Sequence, residues 1–331
     1  MAKVTISDIS RDTGVSTATV SRVLNRKGPV SPDTKTKVLA SAKKLGYKFI
    51  NSHDLVNKKV IVVIHYEFWY SNSVLQLNGI QDTAIKNGYN VITLRTKVEP
   101  IMDDLIPPSM TRDHICGIII SHFPHFIEKL SQSIDKSIPV VQLSEYNESL
   151  SHPYISIDNF QAAYDVVNYL YSLGRRKIAL FNFNQSALYS VKREEGFRAA
   201  MADLSLPINP KWVYNLSIMR DYNQALSAAQ QLLSNEDRPD AVFATSDNYA
   251  IAVLRAASRL GISVPGDLSI VGFDNSDLSK MIEPALTTVD QPFYEMGCMA
   301  CSTLIQQIQE GNISHPNSIL LGTELIVRNS T

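Results

Sequence analysis

Apolar residues along the first 46 positions recur at helical spacing in three short runs. Ile6 and Ile9 share a side with Ser10, and Gly14 supplies a tight turn under which Val15 packs. Ser16 is a good N-cap for a helix over 17–24, where Val20, Val23 and Leu24 line one face. Residues 25–29 read as a turn. Ser31-Pro32-Asp33 opens a third helix, with proline at a tolerated first-turn position. Val38, Leu39, Ala42 and Leu45 form its buried stripe, and Gly46 ends it. Residues 47–59 are polar, lack periodicity and read as a linker.

From residue 60 the texture changes to alternating strands and helices. Apolar runs at 60–64, 91–94, 117–120 and 139–143 predict strands, with a helix over 74–86. A second series pairs helices over 161–173, 192–204, 223–234 and 248–260 with strands at 177–183, near 212, at 241–244 and at 268–273. A long helix over 292–309 and a last strand over 318–327 close the chain. Such alternation implies an α/β architecture of parallel sheets covered by helices, and two series imply two lobes. Ligands of such sheets sit beyond the carboxyl ends of the strands, here in the cleft between lobes.

The formal charge of −1 over 331 residues hides a split. Residues 1–59 carry twelve Lys or Arg against four Asp or Glu, a net +8, which leaves −9 on the remainder. A basic end on an acidic body is the footprint of a chain whose first segment meets nucleic acid. No apolar run is long enough to span a bilayer, and the start shows no leader pattern, so a cytoplasmic protein without a membrane partner is expected. The three cysteines do not suggest a disulfide scaffold.

The run Gly14-Val-Ser-x-x-Thr-Val-Ser-Arg-Val-Leu-Asn25, with Gly46-Tyr47 closing the third helix, strongly resembles the headpiece of the lactose-repressor/galactose-repressor family. The resemblance continues in order through Asp158-Asn159, Leu173-Gly-Arg-Arg-Lys-Ile-Ala179, Arg193-x-x-Gly-Phe197 and Phe243-x-x-x-Asp247. It ends with Val264-x-Gly-Asp-x-Ser-Ile-Val-Gly-Phe-Asp274 and Thr287-Thr-Val-Asp-Gln-Pro292. It implies a three-helix helix-turn-helix headpiece over 1–46, a hinge over 47–59, and a two-lobed, periplasmic-binding-protein-like effector and dimerisation domain over 60–331. The first lobe is expected over about 60–158 and 292–320, and the second over about 161–289 and 323–331. The implied partners are pseudo-palindromic double-stranded operator DNA, a small-molecule effector and a second copy of the chain. The ending at Arg328-Asn-Ser-Thr331 lacks a heptad tail, so a homodimer rather than a tetramer is expected.

In this reading the second helix enters the major groove. Thr17, Ala18 and Arg22 lie on its polar side; Arg22 suits a guanine edge, and the other two suit a hydroxyl or methyl contact. Thr5, Ser16, Thr19, Ser21, Ser31 and Tyr47 are suited to phosphates, as their counterparts in the family are. Ser16 and Ser31 combine that with capping, and Asn25, at the end of the motif, joins the DNA contacts. The hinge departs from the family pattern: it has no proline, and Asp54 stands where arginine is common. Leu55 or Val56 remains as an apolar wedge for a base step.

For the effector, the resemblance implies Arg193 projecting into the cleft from the start of its helix, and Asp274 at a strand end. The carboxylate would accept from, and the guanidinium donate to, adjacent hydroxyls. Gln291, Ser246 and Arg220 are further candidates. Trp69, Tyr70 and Asn72 lie in a first-lobe loop that would offer a ring to a pyranose. Asp247 is read as a helix N-cap rather than a ligand contact, and Asp158 as either a contact or a brace for the crossover. The expected effector is a sugar, a galactoside or another mono- or disaccharide; a nucleoside or purine is the alternative.

Other classes fit less well. A free-standing small-molecule-binding protein would lack the basic headpiece. Cys298-x-x-Cys301 has metal-type spacing but falls inside a predicted helix without a second pair, and His122-Phe-Pro-His125 reads as a loop at a strand end. Neither a phosphate-binding glycine loop nor a nucleophile elbow is present. No catalytic residue, metal or cofactor is implied.

Overall fold

The structure, a computed structural model, describes residues 4–24, 30–45, 47, 60–66, 71–96, 115–121, 124–217, 221–311 and 318–331. Two compact units divide it, Met1–Lys58 and Lys59–Thr331.

The first unit holds helices α1 (Ile6–Thr13), α2 (Thr17–Leu24) and α3 (Pro32–Leu45). Ile9, Val20, Val23, Val38 and Ala42 form its core, one or two side chains from each helix, with Ile6, Val15, Leu24, Val30, Leu39, Leu45 and Tyr47 packed around them. The turn after α1 needs Gly14: its φ of 68° is left-handed backbone, and its N–H closes the helix on the Ser10 carbonyl at 2.9 Å. The Asp12 carboxylate ties α1 to α3, accepting from the Ser41 hydroxyl at 2.6 Å and the Lys44 ammonium at 2.9 Å. These two donors, Ser41 first, hold Asp12 below the usual aspartate range.

The second unit contains two six-stranded sheets. The first uses β1 (Val60–Tyr66), β2 (Asn90–Thr96), β3 (Ile115–Ser121), β4 (Val140–Leu143), β5 (Tyr154–Ile157) and β11 (Ile319–Leu321), in the order β11-β5-β4-β3-β1-β2. Every pairing in it is parallel. The second uses β6 (Ile178–Phe183), β7 (Val213–Leu216), β8 (Ala241–Ala244), β9 (Ser269–Phe273), β10 (Thr287–Asp290) and β12 (Glu324–Ile326), in the order β12-β10-β9-β8-β6-β7. Only β12 runs antiparallel to its neighbour. The first sheet carries α4 (Ser71–Lys86), α5 (Pro124–Ser133) and α11 (Phe293–Glu310). The second carries α6 (Asn159–Ser172), α7 (Leu188–Asp203), α8 (Tyr222–Leu233), α9 (Asp247–Arg259) and the short α10 (Asp277–Met281). Among the described residues the chain therefore passes between lobes three times: after β5, after β10, and between β11 and β12.

In each lobe a pair of helices crosses at glycine. A Cβ on Gly79 of α4 would stand 2.1 Å from the Tyr294 carbonyl oxygen of α11, and one on Gly297 of α11 would stand 2.1 Å from that of Gln76. In the second lobe a Cβ on Gly196 of α7 would meet the Phe160 carbonyl oxygen of α6 at 2.1 Å. Only a hydrogen fits at such crossings, so backbones approach closely enough to seal the surrounding core.

Three expectations change. The strand expected over 318–327 is two strands, one in each sheet, because Gly322 and Thr323 carry the chain across the lobes. The loop expected around His125 is the first turn of α5, begun by Pro124 at a position where a missing N–H costs nothing. The helix expected from 192 begins at Leu188, so Arg193 stands in its second turn rather than at its start.

Candidate nucleic-acid interface and effector cleft

In α2, Val20 and Val23 point inward, and the opposite side presents Thr17, Ala18 and Arg22 to solvent with Ser21 half-buried. At 100° per residue these four positions span an arc of about 140°, a continuous strip on one side of a single helix. The strip is short, rigidly backed and ends in a guanidinium, which is what base-edge reading in a major groove requires.

The other candidates surround the helix starts. The Asp8 carboxylate accepts from the Thr5 N–H at 2.9 Å and the Thr5 hydroxyl at 2.7 Å, fixing the start of α1. Ser16 Oγ accepts from the Thr19 N–H at 3.2 Å and lies 2.9 Å from the Thr19 hydroxyl. Ser31 donates to the Thr34 hydroxyl at 2.8 Å and accepts from the Thr34 N–H at 3.4 Å. Thr5, Ser16 and Ser31 are all exposed; Ser16 and Ser31 place a hydroxyl at the starts of α2 and α3, a fitting arrangement for phosphate oxygens, whereas the N–H and hydroxyl of Thr5 are taken by Asp8. Tyr47 is half-buried against the headpiece core. Asn25, Leu55 and Val56 lie outside the described residues.

In the second unit, Ser246, Asp274 and Gln291 follow the carboxyl ends of β8, β9 and β10, three adjacent strands. Arg193 reaches the same place from α7 and is 4 % exposed. Its Nε donates to Asn159 Oδ1 and its Nη1 to the Thr245 carbonyl, both at 2.8 Å. The guanidinium lies 3.4 Å above the Phe273 ring and 4.9 Å from that of Tyr189. Stacking and two hydrogen bonds fix the plane of the charge, as an orienting contact to a ligand demands. Asp274, 5 % exposed, accepts from Gln291 Nε2 at 2.7 Å, and its φ is 105°. A non-glycine residue held at that φ is strained, and strain of this kind gathers at ligand-binding turns. Asn275 follows with φ 45° and is locked by Asp290 at 3.1 Å and Arg328 at 2.6 Å.

Ser246, not Asp247, is the N-cap of α9: its hydroxyl accepts from the Asn248 N–H at 3.2 Å. Asp247 is drawn inward instead. It accepts from the Ser276 N–H and hydroxyl at 2.7 Å and from the Thr288 hydroxyl at 2.6 Å, bracing the strand ends that carry Asp274 and Gln291. Burial, reinforced by the charge of Asp274, pushes its carboxyl up to about 6. Asp158 caps α6 through the Gln161 N–H at 2.9 Å, while its own N–H donates to the Leu321 carbonyl at 3.0 Å, joining two of the crossovers.

Trp69, Tyr70 and Arg220 lie outside the described residues. Asn72, expected in a loop, falls instead in the first turn of α4, which begins at Ser71. Two residues that sequence patterning does not single out hold the candidate residues in place. Asn159 orients Arg193, and Glu145 of the first lobe accepts from the Leu188 and Tyr189 N–H groups of the second at 2.7 and 3.0 Å. Asn159 had a signal, standing within the quoted Asp158-Asn159 pair; Glu145 had none.

Comparison with known proteins agrees with both units. Residues 5–48 match the model of bacterial regulatory proteins of the lacI family, and residues 167–331 match that of a periplasmic binding protein-like domain. The HTH-type transcriptional repressor CytR of Escherichia coli is 32 % identical, with 99 % of this chain and 96 % of that protein covered. Catabolite control protein A of Priestia megaterium is 30 % identical, with 94 % of each covered. Among solved structures, the complex of the transcriptional regulator CelR with cellobiose matches with a TM-score of 0.74 at 25 % identity over 99 % of this chain and all of that one. The lac repressor dimer bound to operator and the anti-inducer ONPF shares the fold, with a TM-score of 0.77 at 22 % identity over 99 % of each chain. With an exposed polar strip on its second helix, a two-sheet domain behind it in sequence, and relatives alike over nearly their whole length, the chain belongs to the lacI family of bacterial regulatory proteins and is a DNA-binding transcription regulator.

Proposed function

We propose that the protein is a cytoplasmic homodimeric repressor of carbohydrate-utilisation genes, held on a pseudo-palindromic double-stranded operator and released when a sugar closes the cleft of its second unit. The observation that carries the reading is the buried pair of Arg193, in the second turn of α7, and Asp274, at the carboxyl end of β9, each fixed by a neutral amide, Asn159 and Gln291. One donates and the other accepts, which suits vicinal hydroxyls. The neighbour CelR, solved with cellobiose, supports an uncharged sugar as the class. The protein acts by binding, without turnover: an effector shifts DNA affinity only through its different affinities for two conformations.

A panel of mono- and disaccharides, nucleosides and purines, read by thermal shift, tests the ligand class. The cognate compound raises the melting temperature by mass action and releases a labelled operator duplex at matching concentrations. A response to purines or nucleosides alone would replace the sugar reading. Stabilisation without release would remove the inducer role.

Sedimentation at micromolar concentration is expected to give a dimer, since two headpieces on one duplex face supply the specificity that one lacks; a monomer would contradict it. Lys35 and Lys37 are exposed on α3. Replacing either with Ala is expected to weaken operator and random DNA equally and to flatten the salt dependence by about one counterion. A loss confined to the operator would assign that lysine to base reading instead.

A further inference from the structure

We propose that Glu145 is a positioning residue of the effector site, a carboxyl side chain of the first lobe that caps the helix carrying Arg193 in the second and so ties the alignment of that guanidinium to the arrangement of the two lobes. The helix needs an external cap. Its N-cap position is Ala187, which has no side-chain acceptor, and the Leu188 and Tyr189 N–H groups are met by the two oxygens of Glu145 at 2.7 and 3.0 Å. Glu145 is itself 8 % exposed, one turn after β4 in the first sheet, and is separated from its partners by more than forty residues. A carboxyl group that meets two N–H groups at the N-terminal end of a four-turn helix supplies the cap the helix itself lacks, and it spans the lobes. Arg193 follows four residues after Tyr189 on the same helix, so the capped turn lies directly beneath it, with the Tyr189 ring 4.9 Å from its guanidinium.

A contact that spans the lobes is lost when they rotate apart at this edge, so Glu145 favours the arrangement of the lobes in which its two bonds are made. The bias is linked to protons. Burial pushes the Glu145 carboxyl up to about 7, opposed by the two N–H groups and then by the charge of Arg193, the cation facing it from the second lobe. From the first lobe Tyr146 adjoins it, stacked on Tyr154 at 3.9 Å, with the negative charges of Glu148 and of Asp158, the cap of α6, acting on Tyr146. A carboxyl raised in this arrangement of the lobes favours the arrangement fully below the ordinary glutamate range, near 4.5, and loses that advantage as pH rises through about 7. The contact therefore weakens as pH rises from about 4.5 toward and through about 7.

Hydrogen–deuterium exchange on the full chain tests this without any ligand, comparing wild type with Glu145→Ala and Glu145→Gln at matched pH from 6 to 8. In Glu145→Ala the Leu188 and Tyr189 amides are expected to exchange at least about tenfold faster, while amides in β6 and β8 keep their wild-type rates. Glu145→Gln, which retains one acceptor oxygen, falls between. Relative to Glu145→Gln, wild-type protection at these two amides declines as pH passes 7. Unchanged rates in Glu145→Ala would overturn the cap, and an equal increase throughout the second lobe would reduce Glu145 to a general structural residue. A flat wild-type profile would remove the proton linkage and with it the inference as stated. The proposal rests on the effector reading only in giving Arg193 to the ligand. Failure of that reading would show as silence in the ligand panel, whereas failure of this one shows in the amides.

Discussion

Asp274→Asn is expected to cost effector affinity about 1.5–3 kcal/mol, roughly 10- to 150-fold, while operator affinity without effector stays at the wild-type level. The substitution keeps the shape of the side chain, an acceptor oxygen for Gln291 and a residue type that tolerates positive φ, so the turn at 274–275 survives. What changes is one oxygen becoming an NH₂ group and the loss of the charge. A hydroxyl that donated to a carboxylate then faces a donor inside a buried site, and the mismatch is felt in full. In cells the expected phenotype is repression that no longer yields to the sugar. Calorimetry with the compound identified by thermal shift provides the measurement, and wild-type affinity in Asp274→Asn would make Asp274 a structural carboxylate.

The largest stability losses are expected at the helix crossings. Gly297→Ala and Gly196→Ala each place a methyl group 2.1 Å from a backbone carbonyl oxygen, and backbone cannot swing aside as a flexible side chain would. The helices must separate, which opens the packing of Ile80, Met296 and Ala300 in one lobe or Phe197, Ala200 and Ala163 in the other. Overpacking of this kind costs about 1–3 kcal/mol. Gly322→Ala is the control: a Cβ there meets nothing within 4 Å and φ is not left-handed, so the change should stay within about 0.5 kcal/mol. Chemical denaturation midpoints of the three variants test the contrast, and equal midpoints would mean the crossings are looser than the structure shows.

What the sequence made legible follows from the range of the forces involved. The headpiece helices are local: caps, Gly14 and the apolar stripe lie within one or two turns of the residues they govern. The buried strands are legible as short apolar runs because both faces of each parallel sheet are covered. The start of α7 was not, since its cap comes from Glu145 in the other lobe and its own flank, Ala187, carries no signal. Ser246 and Asp247 are both good caps by residue type. Ser276 and Thr288, distant in sequence, claim Asp247 and leave the cap to Ser246. The single strand expected over 318–327 had the right apolar pattern, but pattern alone does not say that its two halves belong to different sheets.

The central claim, that α2 reads base edges, is tested most directly by Arg22→Ala titrated against an operator selected from a random duplex library and against random-sequence DNA over a range of salt. Arg22 is exposed at the end of the reading strip, and a guanidinium forked onto a guanine is worth about 1–3 kcal/mol of discrimination. The predicted result is a roughly 5- to 150-fold loss on the operator, relaxed preference at one base position, and nearly unchanged affinity for random DNA. An equal loss on both duplexes, with a shallower salt slope, would make Arg22 a phosphate contact and contradict the account.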